Sequence, residues 1–165
     1  MHKQTPKEPV YRKSQISWLM IVVFSLILGI ISVSYFVQAG RNPLDEVSFS
    51  VLAGFLLLLL LCFYKLTIVV DYRRIQIIYG IGIIRISIRP EALRTVEIVK
   101  TSMLAGWGIR ITTDGMLYNI QGRQAVRIQY GKNKLKTVRI GSAQPQALSE
   151  AITAAFLGRK TAEGE

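Results

Sequence analysis

Hydrophobic and polar positions follow two regimes that meet near residue 65. Before that point the apolar residues gather in two long unbroken runs. The segment 16–38, ISWLMIVVFSLILGIISVSYFVQ, is 23 residues long and carries no charge. As a helix rising ~1.5 Å per residue it spans a hydrocarbon core of roughly 30 Å with some tilt. Ser17, Ser25, Ser32 and Ser34 are tolerable there because a hydroxyl can bond back to a carbonyl of its own helix. The segment 47–64, VSFSVLAGFLLLLLLCFY, is also uncharged, and too uniformly apolar for a helix lying on a surface. Trp18, Tyr35 and Tyr64 sit where interfacial aromatics belong, and Lys65 follows as a snorkelling cation.

Eight residues, 39–46, join the two apolar runs, and Asn42-Pro43 marks a turn. The runs therefore predict an antiparallel helical hairpin. Gly29 and Gly54 leave room for close helix approach, but neither belongs to a Gly-xxx-Gly pair. The apolar stretch of the first run exceeds the 7–15 residues of a signal-peptide core, so it reads as a retained span.

After residue 65 the period drops to two. Leu66, Ile68 and Val70 share a face, as do Ile75, Ile77 and Tyr79, and then Ile84, Ile86 and Ile88. Gly80-Ile81-Gly82 marks a turn, and residues 89–93 are expected as a helical turn opened by Pro90. Further strands are expected at 94–100, 108–112, 117–120, 125–130 and 135–140, with Asp114-Gly115 as a hairpin signal. Pro145 opens a helix to about Leu157 with Leu148, Ile152 and Phe156 on one stripe, and Gly158 stops it. That stripe needs a sheet to cover.

The predicted layout is a tail at 1–15, spans at 16–38 and 47–64 around the loop 39–46, a β-rich domain at 65–158 and a tail at 159–165. The fold class is a membrane α-helical hairpin plus an all-β domain of about seven strands in two packed antiparallel sheets, with a C-terminal α-helix.

Charge orients this layout. The chain carries a net +11, and residues 65–165 hold sixteen Lys/Arg against seven Asp/Glu. Lys3, Lys7, Arg12 and Lys13 precede the first span and Lys65, Arg73 and Arg74 follow the second, whereas the loop holds Arg41 alone. The positive-inside rule puts both termini in the cytoplasm, and the expected location is the cytoplasmic (inner) membrane.

Catalytic and metal chemistry find little support. His2 is the only histidine and Cys62 the only cysteine, so a Ser-His or Cys-His pair would need a residue of the N-terminal tail. The acids Asp71, Glu91, Glu97, Asp114 and Glu150 show no helical metal-ligand spacing. No catalytic residue, metal ligand or cofactor is expected. Nucleic acid, the other usual partner of a basic chain, is not expected beside two membrane spans.

Gly106-Trp107-Gly108-Ile109-Arg110, the run Gly115-Met116-Leu117-Tyr118-Asn119-Ile120 with Gly122, Ala125-Val126, and Arg139-Ile140-Gly141 before Pro145 resemble the bacterial PH-like domains of membrane-anchored proteins. The resemblance covers roughly residues 66–157 and implies two packed antiparallel sheets capped by a C-terminal helix. Met116 and Gln144 stand where that pattern has Trp and Asp. Within the motif, Gly106, Trp107, Gly108, Tyr118, Asn119 and Gly122 read first as structural: glycines at a bulge or bend, Trp107 filling core, Asn119 bonding local backbone. Alternatively, Trp107 lies at the bilayer interface or in a ligand groove.

The basic set, Arg73, Arg74, Arg85, Arg89, Arg123, Arg127, Lys132, Lys134, Lys136 and Arg139, has two readings. One is a solvated face that discourages edge pairing. The other is a patch on anionic lipid, carried by Arg73, Arg74, Lys132, Lys134 and Lys136, with the first two favoured by their nearness in sequence to the second span. The leading functional expectation is a non-catalytic interaction or assembly module, with membrane lipids and a protein partner or a second copy as its partners. Anionic-lipid recognition comes second. An accessory role to a membrane enzyme or transporter comes third.

Overall fold

The structure is a computed structural model that describes residues 8–38, 40, 43–101 and 108–157. Its elements run β1 (Tyr11–Ile16), α1 (Trp18–Phe36), α2 (Glu46–Phe63), β2 (Lys65–Asp71), β3 (Arg74–Tyr79), β4 (Ile84–Ile88), β5 (Leu93–Lys100), β6 (Gly108–Thr112), β7 (Gly115–Asn119), β8 (Gln124–Tyr130), β9 (Lys136–Gly141) and α3 (Pro145–Phe156). The described strands form two sheets, one ordered β1-β2-β3-β4 and the other β5-β8-β9-β7-β6.

Two apolar helices and a two-sheet β domain with a C-terminal helix thus match the coarse expectation. The details differ in three places. Nine strands form among the described residues rather than about seven. β7 and β9 pair in parallel, so the second sheet is mixed. The expected helical turn at 89–93 is instead a tight turn with Ala92 at φ +50°, held where Gly131 N–H donates to Glu91 O at 2.9 Å.

The largest difference lies before α1. Residues 11–16, expected within or beside a tail, form β1 and pair antiparallel with β2 from Tyr11↔Val70 to Ile16↔Lys65. No apolar alternation announces this strand, because its one buried residue is Gln15. It forms because β2, apolar and buried, has an unpaired edge to satisfy. Consequently α1 and α2 are an insertion at the tip of a β1–β2 hairpin, and residues on both sides of the helix pair belong to one sheet.

α1 and α2 are long and apolar enough to cross a membrane. They are not core helices. α1 buries no residue and α2 buries only Leu56 and Cys62. Asp45 caps α2, its Oδ2 accepting from the N–H groups of Val47 and Ser48 at 3.1 and 3.2 Å, which satisfies donors the first turn cannot pair internally. Tyr35 stacks on Phe49 at the loop end, with ring centroids 4.3 Å apart. Ser32 Oγ donates to Leu28 O at 2.8 Å, the back-bond that makes a hydroxyl tolerable in an apolar helix. Gly29 and Gly54 play no part in close approach, since a Cβ on either would meet nothing within 4 Å.

The core lies between the sheets. Leu66, Ile68 and Val70 of β2 and Ile75, Ile77 and Tyr79 of β3 are essentially inaccessible and face Val126, Ile128, Val138 and Ile140. α3 packs on β5, β8 and β2, closing the sandwich with Leu148, Ile152 and Ala155. Phe156, the third residue of the expected stripe, is only partly buried.

Candidate functional site

Two features dominate the molecule: a junction where the helices meet the sandwich, and a groove at the opposite end. The junction is made by backbone. Ser17 N–H donates to Tyr64 O at 2.8 Å, one step beyond the Ile16↔Lys65 pair, so the strand ladder continues to the helix feet. Ser17 is fully buried; its hydroxyl donates to Ile120 O at 3.2 Å and accepts from Met20 N–H at 3.4 Å. Gln15 extends the clamp to the second sheet, donating to Gly141 O at 3.1 Å and accepting from Ala143 N–H at 2.9 Å. On the other side Gly80 sits against the last turn of α2. A Cβ there would meet Leu61 O and lie 2.6 Å from Cys62 O, and φ is +56°, so only glycine fits without displacing the helix.

The motif residues serve this junction. Asn119 is fully buried; its Oδ1 accepts from Ile120 N–H at 2.9 Å and its Nδ2 donates to Gly122 O at 3.3 Å. Gly141 makes room for it, because a Cβ at that position would collide with the Asn119 side chain. Gly108 O accepts from the Tyr79 hydroxyl at 3.3 Å. Tyr118 is buried too, but lines the groove at the other end. Gly106 and Trp107 lie outside the described residues. Of the expected interface anchors, Trp18 is 68% exposed at the foot of α1, Lys65 Nζ lies 5.6 Å from the centroid of the Tyr64 ring, and Tyr35 is at the loop end of the hairpin.

The basic residues proposed for lipid contact are elsewhere. Arg73 lies in the β2–β3 turn and Arg74 opens β3, and the register Asp71↔Arg74 sets both at the end of the sheet opposite Lys65. β2 has seven residues, so the turn is roughly 20 Å along the strand from the helix feet, at ~3.3 Å per residue. Nearness in sequence thus becomes separation in space. Lys132 and Lys134 occupy the β8–β9 loop and Lys136 begins β9, again at the end away from the feet. Of the wider basic set, Arg127 donates to Glu97 Oε2 at 2.5 Å and Arg85 Nε to Gly82 O at 2.9 Å.

At this distal end the sheets splay into an open groove of about 610 Å³. One wall is β4, whose residues pair, among the described residues, with β3 alone. The other is the start of β7 and β9. Met116, Tyr118, Tyr130 and Val138 line its apolar part; Arg89, Asp114 and Lys136 add charge. Asp114 is already committed, because Arg139 Nη2 donates to its Oδ2 at 2.5 Å. Burial pushes its carboxyl up, but the hydrogen bonds from Arg139 and Thr112 outweigh this and hold it below the usual value. Arg89 and Lys136 therefore leave the groove with a positive bias. Burial raises both the Tyr118 and Tyr130 phenols, and Tyr130 adds to the effect on Tyr118. Both therefore remain neutral donors at physiological pH. No group of three or more His, Cys, Asp or Glu able to hold a metal occurs among the described residues.

Sequence reading missed the junction roles of Ser17, Gln15 and Gly80 and the Asp114–Arg139 pair, which depend on partners 18 to more than 100 positions away. Fold and site together define a β-sandwich carrying an apolar helical hairpin, clamped at one end and grooved at the other. No family model, no curated protein and no solved structure matches the chain.

Proposed function

We propose that the chain is a two-pass protein of the cytoplasmic membrane whose PH-like sandwich is a non-catalytic interaction module. The groove beside β4 takes an extended, acidic segment of a protein partner. The observation that carries this reading is the edge of β4, unpaired among the described residues, beside a groove with Arg89 and Lys136 on its rim. An extended segment adding to such an edge gains main-chain hydrogen bonds, and flanking pockets select its side chains. Acidic residues complement the rim.

The membrane half of the proposal rests on the two exposed apolar helices. It rests also on the excess of Lys/Arg flanking them over the single Arg41 between them, which favours cytoplasmic termini. The PH-like assignment is supported by two packed sheets with a C-terminal helix. Recognition of anionic lipid by Arg73, Arg74, Lys132, Lys134 and Lys136 gains no support in the same bilayer, since these residues sit at the end opposite the helix feet.

The test is affinity capture of the full chain from membranes in mild detergent, beside an Arg89→Glu/Lys136→Glu variant. A protein held by the first and lost from the second, with retention weakened by salt, supports the proposal. Retention of the same proteins by both, or only monomer in both, removes the groove from the function.

A further inference from the structure

The β3–β4 turn, residues 80–83, lies at the foot end of the sandwich and carries two large apolar side chains between and after its glycines. Turns favour Gly, Asn, Asp and Ser at their tips; this one reads Gly80-Ile81-Gly82-Ile83. Ile81 and Ile83 are each 58% exposed. The turn does not stop at the end of α2 but climbs beside it. Ile81 N–H donates to Leu61 O at 3.3 Å, and Gly80 N–H donates to Lys65 O at 2.7 Å. Leu61 precedes the C-cap Tyr64 by most of a helical turn, so the backbone of the turn is level with apolar residues of α2. Arg85 reaches back from β4 so that its Nε donates to Gly82 O at 2.9 Å, which sets its guanidinium against the turn between the two isoleucines.

From this geometry we infer that the β3–β4 turn is a third membrane-contacting element, which inserts Ile81 and Ile83 among the lipid chains beside α2. The inference rests on the reading of α1 and α2 as membrane spans. The lipid surface is the occupant because the exposed isoleucines continue the apolar surface of α2, including exposed Leu57, Leu58 and Leu61. The Arg85 guanidinium beside the two exposed isoleucines is suited to headgroup phosphates while the apolar side chains meet acyl chains, as in an interfacial segment. Together with the helix pair, the insertion fixes the depth and tilt of the sandwich.

The experiment uses the full chain with Cys62→Ala, reconstituted in phosphatidylcholine–phosphatidylglycerol vesicles that carry nitroxide on the acyl chains. Single cysteines replace Ile83, Ile81, Leu58 or Ile111, and each carries a fluorophore. Leu58 reports the helix, and Ile111, 85% exposed near the distal end of β6, reports water. Labels at 81 and 83 are expected to be quenched at least half as strongly as at 58 and several-fold more than at 111, and to resist aqueous iodide. Quenching at 58 with 81 and 83 behaving like 111 overturns this inference and leaves the spans intact. Resistance at 81 and 83 to both quenchers assigns the turn to a protein contact and also overturns it. Absence of lipid quenching at 58 overturns the membrane reading and the inference with it.

Discussion

Ser17 N–H and Tyr64 O, separated by two helices in sequence, are joined by a 2.8 Å hydrogen bond. That bond extends the β1–β2 ladder to the point where α1 begins and α2 ends. A linker would let the sandwich swing; this junction does not, because Ser17 and Gln15 on one side and Gly80 on the other tie the helix feet to both sheets.

Gly80→Ala is expected to be the most damaging single change at the junction. Its Cβ meets two backbone carbonyls of α2 while φ is positive, and the backbone strain alone costs about 1–3 kcal/mol. Ser17→Ala removes a helix cap and leaves Ile120 O without the hydroxyl it accepts from, costing about 1–3 kcal/mol. Denaturant unfolding in detergent measures both. Hydrogen exchange should show β1 amides losing protection before those of β8, and uniform loss across the sandwich would contradict the clamp.

Asp114 makes the distal end sensitive to acid. Its folded pKa is lowered, despite burial, by Arg139 and Thr112. Its contribution to stability is therefore fully present above the unfolded value near 3.8 and is lost as pH falls through the lowered folded value. Asp114→Asn is expected to cost about 0.5–1 kcal/mol at pH 6, the range for a partly exposed pair. The gap from the parent chain should narrow below pH 4. A gap that stays constant to pH 2.5 would remove the ion pair as its cause.

Tyr79 makes the core sensitive to alkali. Burial, helped by Tyr118, raises its phenol above the ordinary 10. The neutral fold is favoured in full below pH 10, and that stability declines as pH rises toward the folded value, because only the unfolded chain ionises readily. Tyr79→Phe loses the hydrogen bond to Gly108 O, about 1 kcal/mol at neutral pH. It should nevertheless unfold with a shallower pH dependence above 10. Parallel stability curves for the two chains between pH 9 and 11.5 would show that Tyr79 does not titrate in the transition.

What the sequence determined by itself was whatever one element can express alone. α1 and α2 follow from uninterrupted apolar runs, β2 and β3 from strict alternation at Leu66, Ile68, Val70, Ile75, Ile77 and Tyr79, and α3 from Pro145 and the stripe through Leu148 and Ile152. Tertiary structure decided what depends on a distant partner. β1 exists because β2 had an open edge and Gln15 had bonds waiting at Gly141 and Ala143, not because its own pattern is apolar. Parallel pairing of β7 with β9 has no local signature either. Arg73 and Arg74 follow α2 closely in sequence yet sit far from its foot, because an extended strand carries the chain away at more than twice the rise per residue of a helix. Burial energy is written in the order of side chains. The pairing of polar backbone is settled only when the strands meet.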